Sequence, residues 1–179
     1  DKLLKIIRFI LFVVMIIRYK KNYLHIDQFK LKCCIGKAGI KKNKIEGDKS
    51  TPFGKFTLGD LYFRKDRNYL INTKLRKKAI KRNMGWCNDS KSNNYNRLIS
   101  INKKTSESYE KFFRRDYKYD LIIPINYNYF KPKKNRGSAI FIHLTKKFKP
   151  TAGCIGLLKK DFLIMLKLIS KRTSIFISI

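Results

Sequence analysis

Histidine is scarce in this chain of 179 residues, and His25 and His143 are the only two. Cysteine is little commoner, at positions 33, 34, 87 and 154. One of each meets in FIHLTKKFKPTAGCIGL, Phe141 to Leu157, where His143 and Cys154 lie eleven residues apart with a basic loop between them. A thiol nucleophile needs a base to form its thiolate and donors to hold the oxyanion it creates. Gly153, directly before the sulfur, lets backbone approach a substrate closely, so that the Gly153 and Cys154 amides can form such a hole. Lys146, Lys147 and Lys149 favour a thiolate and attract a substrate carboxylate. Spacing alone leaves a second reading open, a buried cysteine at a strand end beside a satisfied histidine.

The other candidates for chemistry are weaker. There is no C-x-x-C pair, and with two histidines a zinc site of ordinary spacing cannot be built, so no metal is expected. Cys33 and Cys34, adjacent on an expected strand, point to opposite faces, and no disulfide framework is indicated. His25 has no acid or cysteine patterned around it and reads as a surface or packing residue. Gly36 to Gly54 is a long Gly- and Lys-rich loop that superficially resembles a phosphate-binding loop. Six residues separate Gly47 from Gly54 where that motif has four, and Phe56 stands where Ser or Thr is needed, so the test fails. Gly85-Trp86-Cys87 is placed for a cleft.

These residues must be positioned by a scaffold, and the sequence predicts a mainly β one. Apolar residues at 44% exclude disorder despite a net charge of +31. Expected strands are Val13–Tyr19, a hairpin through Lys20, Lys21 and Asn22, Phe29–Ile35, Lys55–Phe63, an edge strand in YDLIIPINYN carrying Pro124, and a final SIFISI. Residues 64 to 110 are polar and weakly periodic. In GSAIFIHL, two-residue alternation puts Ile140, Ile142 and Leu144 on one face and Ala139, Phe141 and His143 on the other. After Cys154, Phe162, Met165, Leu166 and Ile169 recur at helical spacing, with Asp161 near the start and Lys171 and Arg172 at the end.

FILFVVMII, Phe9 to Ile17, follows Lys2, Lys5 and Arg8. It is too short for a spanning helix, which needs about twenty apolar residues. It fits the basic and apolar parts of a signal peptide, but no small-x-small cleavage site follows. Residues 1–12 are therefore an extension, a candidate membrane anchor or signal remnant, ahead of one domain at 13–179. The chain begins with Asp, which leaves room for an upstream segment. The 43 lysines and arginines spread over nearly every segment. AT-rich codon usage accounts for such a surface, and so does attraction to a polyanion such as nucleic acid, membrane or anionic cell wall. The basic residues are diffuse and form no aromatic–basic platform, so nucleic acid is not an expected partner.

IFIHLTKKFKPTAGCIGL resembles the active-site signature of the L,D-transpeptidases of the YkuD type: a strand histidine, a short loop, then Ser/Thr-x-Gly-Cys. CIGKAGIKKNKIEGDKSTPFGKFTLGDLYFR, MGWCND, YNRL, YDLIIPINYN and RGSAIFIH resemble, in the same order, the blocks of one bacterial branch of that family. The likeness spans about residues 13 to 179 and includes Thr51-Pro-x-Gly54 and Gly137-Ser138. It implies a β-sandwich or barrel with one helix after the catalytic cysteine. It also implies a cysteine enzyme of peptidoglycan stem peptides, working without metal or cofactor. Cys154 would attack the carbonyl before a terminal D-residue, and His143 would pass the thiol proton to the departing amino acid. The thioester would go to an amine of a second stem, or to water in an L,D-carboxypeptidase. Peptidoglycan lies outside the cytoplasmic membrane, so the implied location is the periplasm or cell envelope of a bacterium, and a monomer is expected.

Departures from the signature matter. Many members carry a histidine before Gly-Cys and an arginine two residues after the cysteine; here those positions are Ala152 and Gly156. His143 is left as the sole base candidate, its other ring nitrogen expected on a backbone carbonyl. Carboxylate recognition falls to Arg136 or a loop lysine. Trp86, Tyr127 and Asn128 are candidate cleft walls, with Ser138 and Thr151 as further substrate-binding candidates. The competing class is a non-catalytic basic protein that binds nucleic acid or anionic membrane, whose affinity would fall steeply with salt.

Overall fold

Lys21 and Asn22 both take left-handed backbone (φ 46° and 64°), the conformation that two-residue hairpin turns demand. They join β1 (Ile16–Lys20) to β2 (Tyr23–Ile26), and a second tight turn with Asp27 at φ 51° leads into β3 (Phe29–Cys34). The sequence-predicted hairpin is thus present, and Tyr19 opposite Leu24 sets its register. The computed structural model describes residues 15–67 and 70–179. The expected extension at 1–12 and the start of the Val13–Tyr19 strand lie outside the described residues.

The remaining strands are β4 (Ile40–Lys41), β5 (Thr51–Pro52), β6 (Gly54–Thr57), β7 (Leu61–Phe63), β8 (Lys77–Ala79), β9 (Met84–Cys87), β10 (Leu98–Ser100), β11 (Tyr109–Lys111), β12 (Leu121–Pro124), β13 (Phe141–Leu144), β14 (Ile155–Leu157) and β15 (Ser174–Ile177). With β1, β2 and β3, seven of these form one ten-stranded sheet in the order β6-β15-β1-β2-β3-β14-β13-β12-β7-β8, while β10-β9-β11 form a second sheet and β4-β5 a short pair. Ile17, Leu24, Leu61, Leu121, Ile142 and Ile175, from strands across the large sheet, meet in one aliphatic cluster, so the sheet curls around its core into a half-barrel. The helix α1 (Lys159–Leu168) packs into the same cluster through Phe162, Met165 and Leu166. The mainly β fold with one helix after Cys154 is as the sequence predicts.

Three expectations are corrected in detail. Lys55–Phe63 is not one strand. The chain turns at Leu58–Asp60, where the Gly59 N–H donates to the Pro124 carbonyl, and β6 and β7 end up at opposite reaches of the sheet. Nor is the Pro124 strand an edge, because β12 lies between β13 and β7. Pairing with β7 stops at Ile122, so the missing N–H of Pro124 falls beyond that ladder. The helix ends at Leu168, with Lys167 in its last turn, and Lys171 and Arg172 lie past it. Among the described residues no helix is long and apolar enough to cross a membrane.

Candidate active site

The alternation read in GSAIFIHL decides what β13 can present. Ile140, Ile142 and Leu144 enter the aliphatic core. Phe141 enters a second, aromatic cluster with Trp86, Phe112, Tyr119 and Cys154, and Ala139 packs against it. His143 follows on that face, 7% exposed, with the Tyr119 ring centroid 5.5 Å from its own. β14 pairs in parallel beside β13, with Gly156 opposite His143, so the residue just before β14, Cys154, arrives at the same end of the same face.

The loop between them is pinned rather than free. The Thr151 N–H donates to the Ile35 carbonyl and its own carbonyl accepts from Lys37, both at 2.9 Å, tying the loop to the end of β3. The Thr151 hydroxyl donates to the Cys154 carbonyl at 2.6 Å and accepts from the Gly153 N–H at 3.1 Å. Gly153 has φ +140°, and a Cβ there would sit 2.7 Å from the Ser50 carbonyl oxygen. Only glycine fits this turn into the cysteine.

The sulfur itself is held at two points. The Phe141 N–H donates to Sγ at 3.3 Å, and the thiol donates to the Ala139 carbonyl at 3.3 Å. Burial pushes the Cys154 thiol up to about 12; the Phe141 amide and the Lys44 charge oppose this, and Glu110 adds to it. Burial likewise pushes His143 down to about 4, against a hydrogen bond to Leu144 and with the help of the Lys118 and Arg114 charges. The resting pair is therefore neutral thiol and neutral imidazole. His143 Nδ1 lies 2.9 Å from the Leu144 carbonyl oxygen, which accepts only, so Nδ1 carries the proton. Nε2 is left as the basic nitrogen, with no protein partner among the described residues.

Both residues line a cavity of about 740 Å³ that also takes in Ser138 and Thr151. Its cationic lining comprises Lys44, Lys49, Arg114, Lys118, Lys147 and Lys149. Lys44 is committed to Asp48 and Arg114 to Glu110 and Asp116. The other four make no ion pair among the described residues. The Ser138 hydroxyl donates to Glu46 at 2.8 Å.

Other sequence candidates lie elsewhere. Arg136 does not line the cavity; its carbonyl accepts from the Tyr127 hydroxyl at 2.5 Å. Trp86, Tyr127 and Asn128 are also absent from the lining. Trp86 is 4% exposed and packs edge-on against Phe141, with centroids 5.4 Å apart. All three meet at a residue that sequence reasoning passed over, Asn96. Its Oδ1 accepts from Trp86 Nε1 at 2.8 Å and from the Ala139 N–H at 3.1 Å, and its Nδ2 donates to the Tyr127 and Asn128 carbonyls. Asn96 thereby fixes Ala139, at φ 52°, whose carbonyl receives the thiol. Of the two amides expected to hold an oxyanion, Gly153 is engaged by Thr151, and the Cys154 N–H has no protein partner among the described residues.

At the position where many members of the resembled family carry arginine, a Cβ on Gly156 would lie 2.6 Å from Cys34 Sγ and 3.2 Å from Thr145 Cβ, so a side chain there requires the Cys34 thiol to move. No group of three or more metal-ligating side chains occurs among the described residues.

No curated protein matches the chain. Among solved structures, the helical cell shape determining protein Pgp2 from Campylobacter jejuni is similar, with TM-score 0.48 and 18% identity over 92% of this chain and 47% of that one. A point mutant of the same protein gives TM-score 0.46 and 17% identity over 92% and 46%. The chain thus spans less than half the length of these structures. A sequence model of the L,D-transpeptidase catalytic domain (YkuD) matches residues 14–177. Because that match runs over nearly its whole length, the chain belongs to the L,D-transpeptidase catalytic domain family.

Proposed function

We propose that this chain is a cysteine L,D-transpeptidase domain acting on peptidoglycan stem peptides. The observation that carries this reading is the setting of Cys154. Its thiol is held by the Ala139 carbonyl and the Phe141 amide in the cavity that it shares with His143, whose free nitrogen is the basic one.

The chemistry follows from the neutral resting pair. A thiol near 12 and an imidazole near 4 do not exchange a proton spontaneously at neutral pH. Transfer to His143 Nε2 accompanies attack of sulfur on the carbonyl that precedes the terminal D-residue. The Cys154 N–H receives the oxyanion. His143 then gives its proton to the leaving amine, and a thioester remains on Cys154. An amine of a second stem resolves it to a crosslink, and water resolves it to a trimmed stem. Lys49, Lys118, Lys147 and Lys149 are the cavity cations free to attract the stem's carboxylates. Such a substrate places the protein in the periplasm or cell envelope of a bacterium.

The test is incubation with a carbapenem and, separately, with a defined tetrapeptide stem. Intact mass should gain one carbapenem, and Cys154→Ala should gain none. The stem should release D-alanine, with dimer marking transfer to an amine and tripeptide alone marking transfer to water. Labelling that persists in Cys154→Ala, or no D-alanine from the wild type, overturns the reading.

A further inference from the structure

The loop between β4 and β5 supplies Lys49 to the cavity, and it is built around a second, buried cation that the chemistry above does not use. Lys44 is 3% exposed. Burying an ammonium costs several kcal/mol unless it is paired and hydrogen-bonded. Lys44 Nζ donates to Asp48 Oδ1 and to the Ser50 carbonyl, both at 2.6 Å, and reaches Ser50 Oγ at 3.4 Å. Asp48 in turn accepts from the Ile45 and Ser50 N–H groups and from the Ser50 hydroxyl. Burial alone would raise the Asp48 carboxyl, but these bonds hold it well below the usual carboxylate range.

The network reaches Gly153, the residue directly before the cysteine. The Ser50 carbonyl that Lys44 grips is the group lying 2.7 Å from where a Gly153 side chain would begin. The next residue, Thr51, donates from its hydroxyl to the Gly153 carbonyl at 2.8 Å. A second arm of the loop, Glu46, accepts from the Ser138 and Tyr95 hydroxyls, next to the carbonyl of Ala139 that receives the thiol. Lys44 also lines the cavity that Cys154 lines.

We propose that Lys44 is a positioning residue for Cys154: it fixes, through Ser50, the backbone on which Gly153 rests, and its ammonium is the buried positive charge that favours the thiolate. This rests on the proposed function only in taking Cys154 as the nucleophile. The measurement is the rate of Cys154 alkylation by iodoacetamide at pH 8, followed by peptide mass spectrometry on the full chain. Lys44→Met should slow it about tenfold, and Lys44→Arg should restore most of the rate. Asp48→Asn keeps the ammonium and removes its neutralising carboxylate, so it should speed alkylation. A purely mechanical brace would make the Met and Asn variants change in the same direction, and that result, or a wild-type rate in Lys44→Met, overturns the proposal. Should Lys44→Met not fold, Asp48→Asn decides alone: a rate above wild type supports the proposal and a rate at or below it overturns it. Because the reagent needs no stem peptide, alkylation as expected without stem turnover would sink the transpeptidase reading and leave this one standing.

Discussion

The two faces of β13 are made by alternate residues of one strand, and they obey different rules. Ile140, Ile142 and Leu144 sit among aliphatic side chains, where shape and volume decide fitness. Ala139, Phe141 and His143 face rings and hydrogen-bonding groups whose directions matter. Phe141 alone meets Trp86, Phe112 and Tyr119 edge-on, at centroid distances of 5.4, 5.5 and 6.0 Å. Its N–H holds the sulfur on that same side. Both faces contribute stability, but only the aromatic face also sets geometry at the sulfur, and a strand that bears both carries core rigidity directly into the site.

The sharpest break in this comparison is at His143. His143→Gln should lower carbapenem acylation by about 10²–10⁴-fold while the fold persists, measured by acylation rate and circular dichroism. Phe141→Ala should cost about 3–5 kcal/mol in denaturant unfolding and also slow acylation, since the aromatic cluster orients the amide on Sγ. Acid is a milder probe. His143 has an ordinary value of 6.5 and is held near 4 in the folded protein, so the unfolded chain takes the proton first. Stability is therefore full above about pH 6.5 and falls as pH drops toward 4, by on the order of 3 kcal/mol. Unfolding at a series of pH values should show that loss in the wild type, and in His143→Gln this share of it should vanish. The smallest effect belongs to the other face: Ile142→Val should cost about 0.5–1.5 kcal/mol and leave acylation unchanged. Slower acylation in Ile142→Val would erase the distinction between the faces.

What the sequence made legible follows the same division. The two faces of β13, the hairpin turn at Lys21 and Asn22, and the buried stripe of α1 are local periodicities, and each is present in the structure. The resemblance singled out Cys154 and His143, and the expected carbonyl partner of His143 is there as Leu144. Long-range pairing was not legible. Pro124 suggested an edge because nothing local announces that β7, some sixty residues earlier, pairs up to Ile122 and stops. Trp86 suggested a cleft because a tryptophan beside glycine and cysteine looks exposed, whereas its N–H is taken by Asn96 and its ring by Phe141. The Lys44–Asp48 pair did leave a trace: Glu46 and Asp48, two of only 12 acids, stand in one short basic loop. Without the fold, that trace reads as ordinary surface charge.

One feature of the large sheet bears on how the chain comes to be folded. β15 lies between β1 and β6, parallel to the first and antiparallel to the second, with Ile16 beside Ser174. During synthesis both neighbours are made long before β15 and wait with unpaired edges. The half-barrel closes only when residues 174–177 insert between them, so its completing step joins the two ends of the matched domain. Contacts so distant in sequence make for slow folding, with exposed strand edges in the interval. Until that last strand is available, the open edges of β1 and β6 are where such a chain is most prone to pair with another copy.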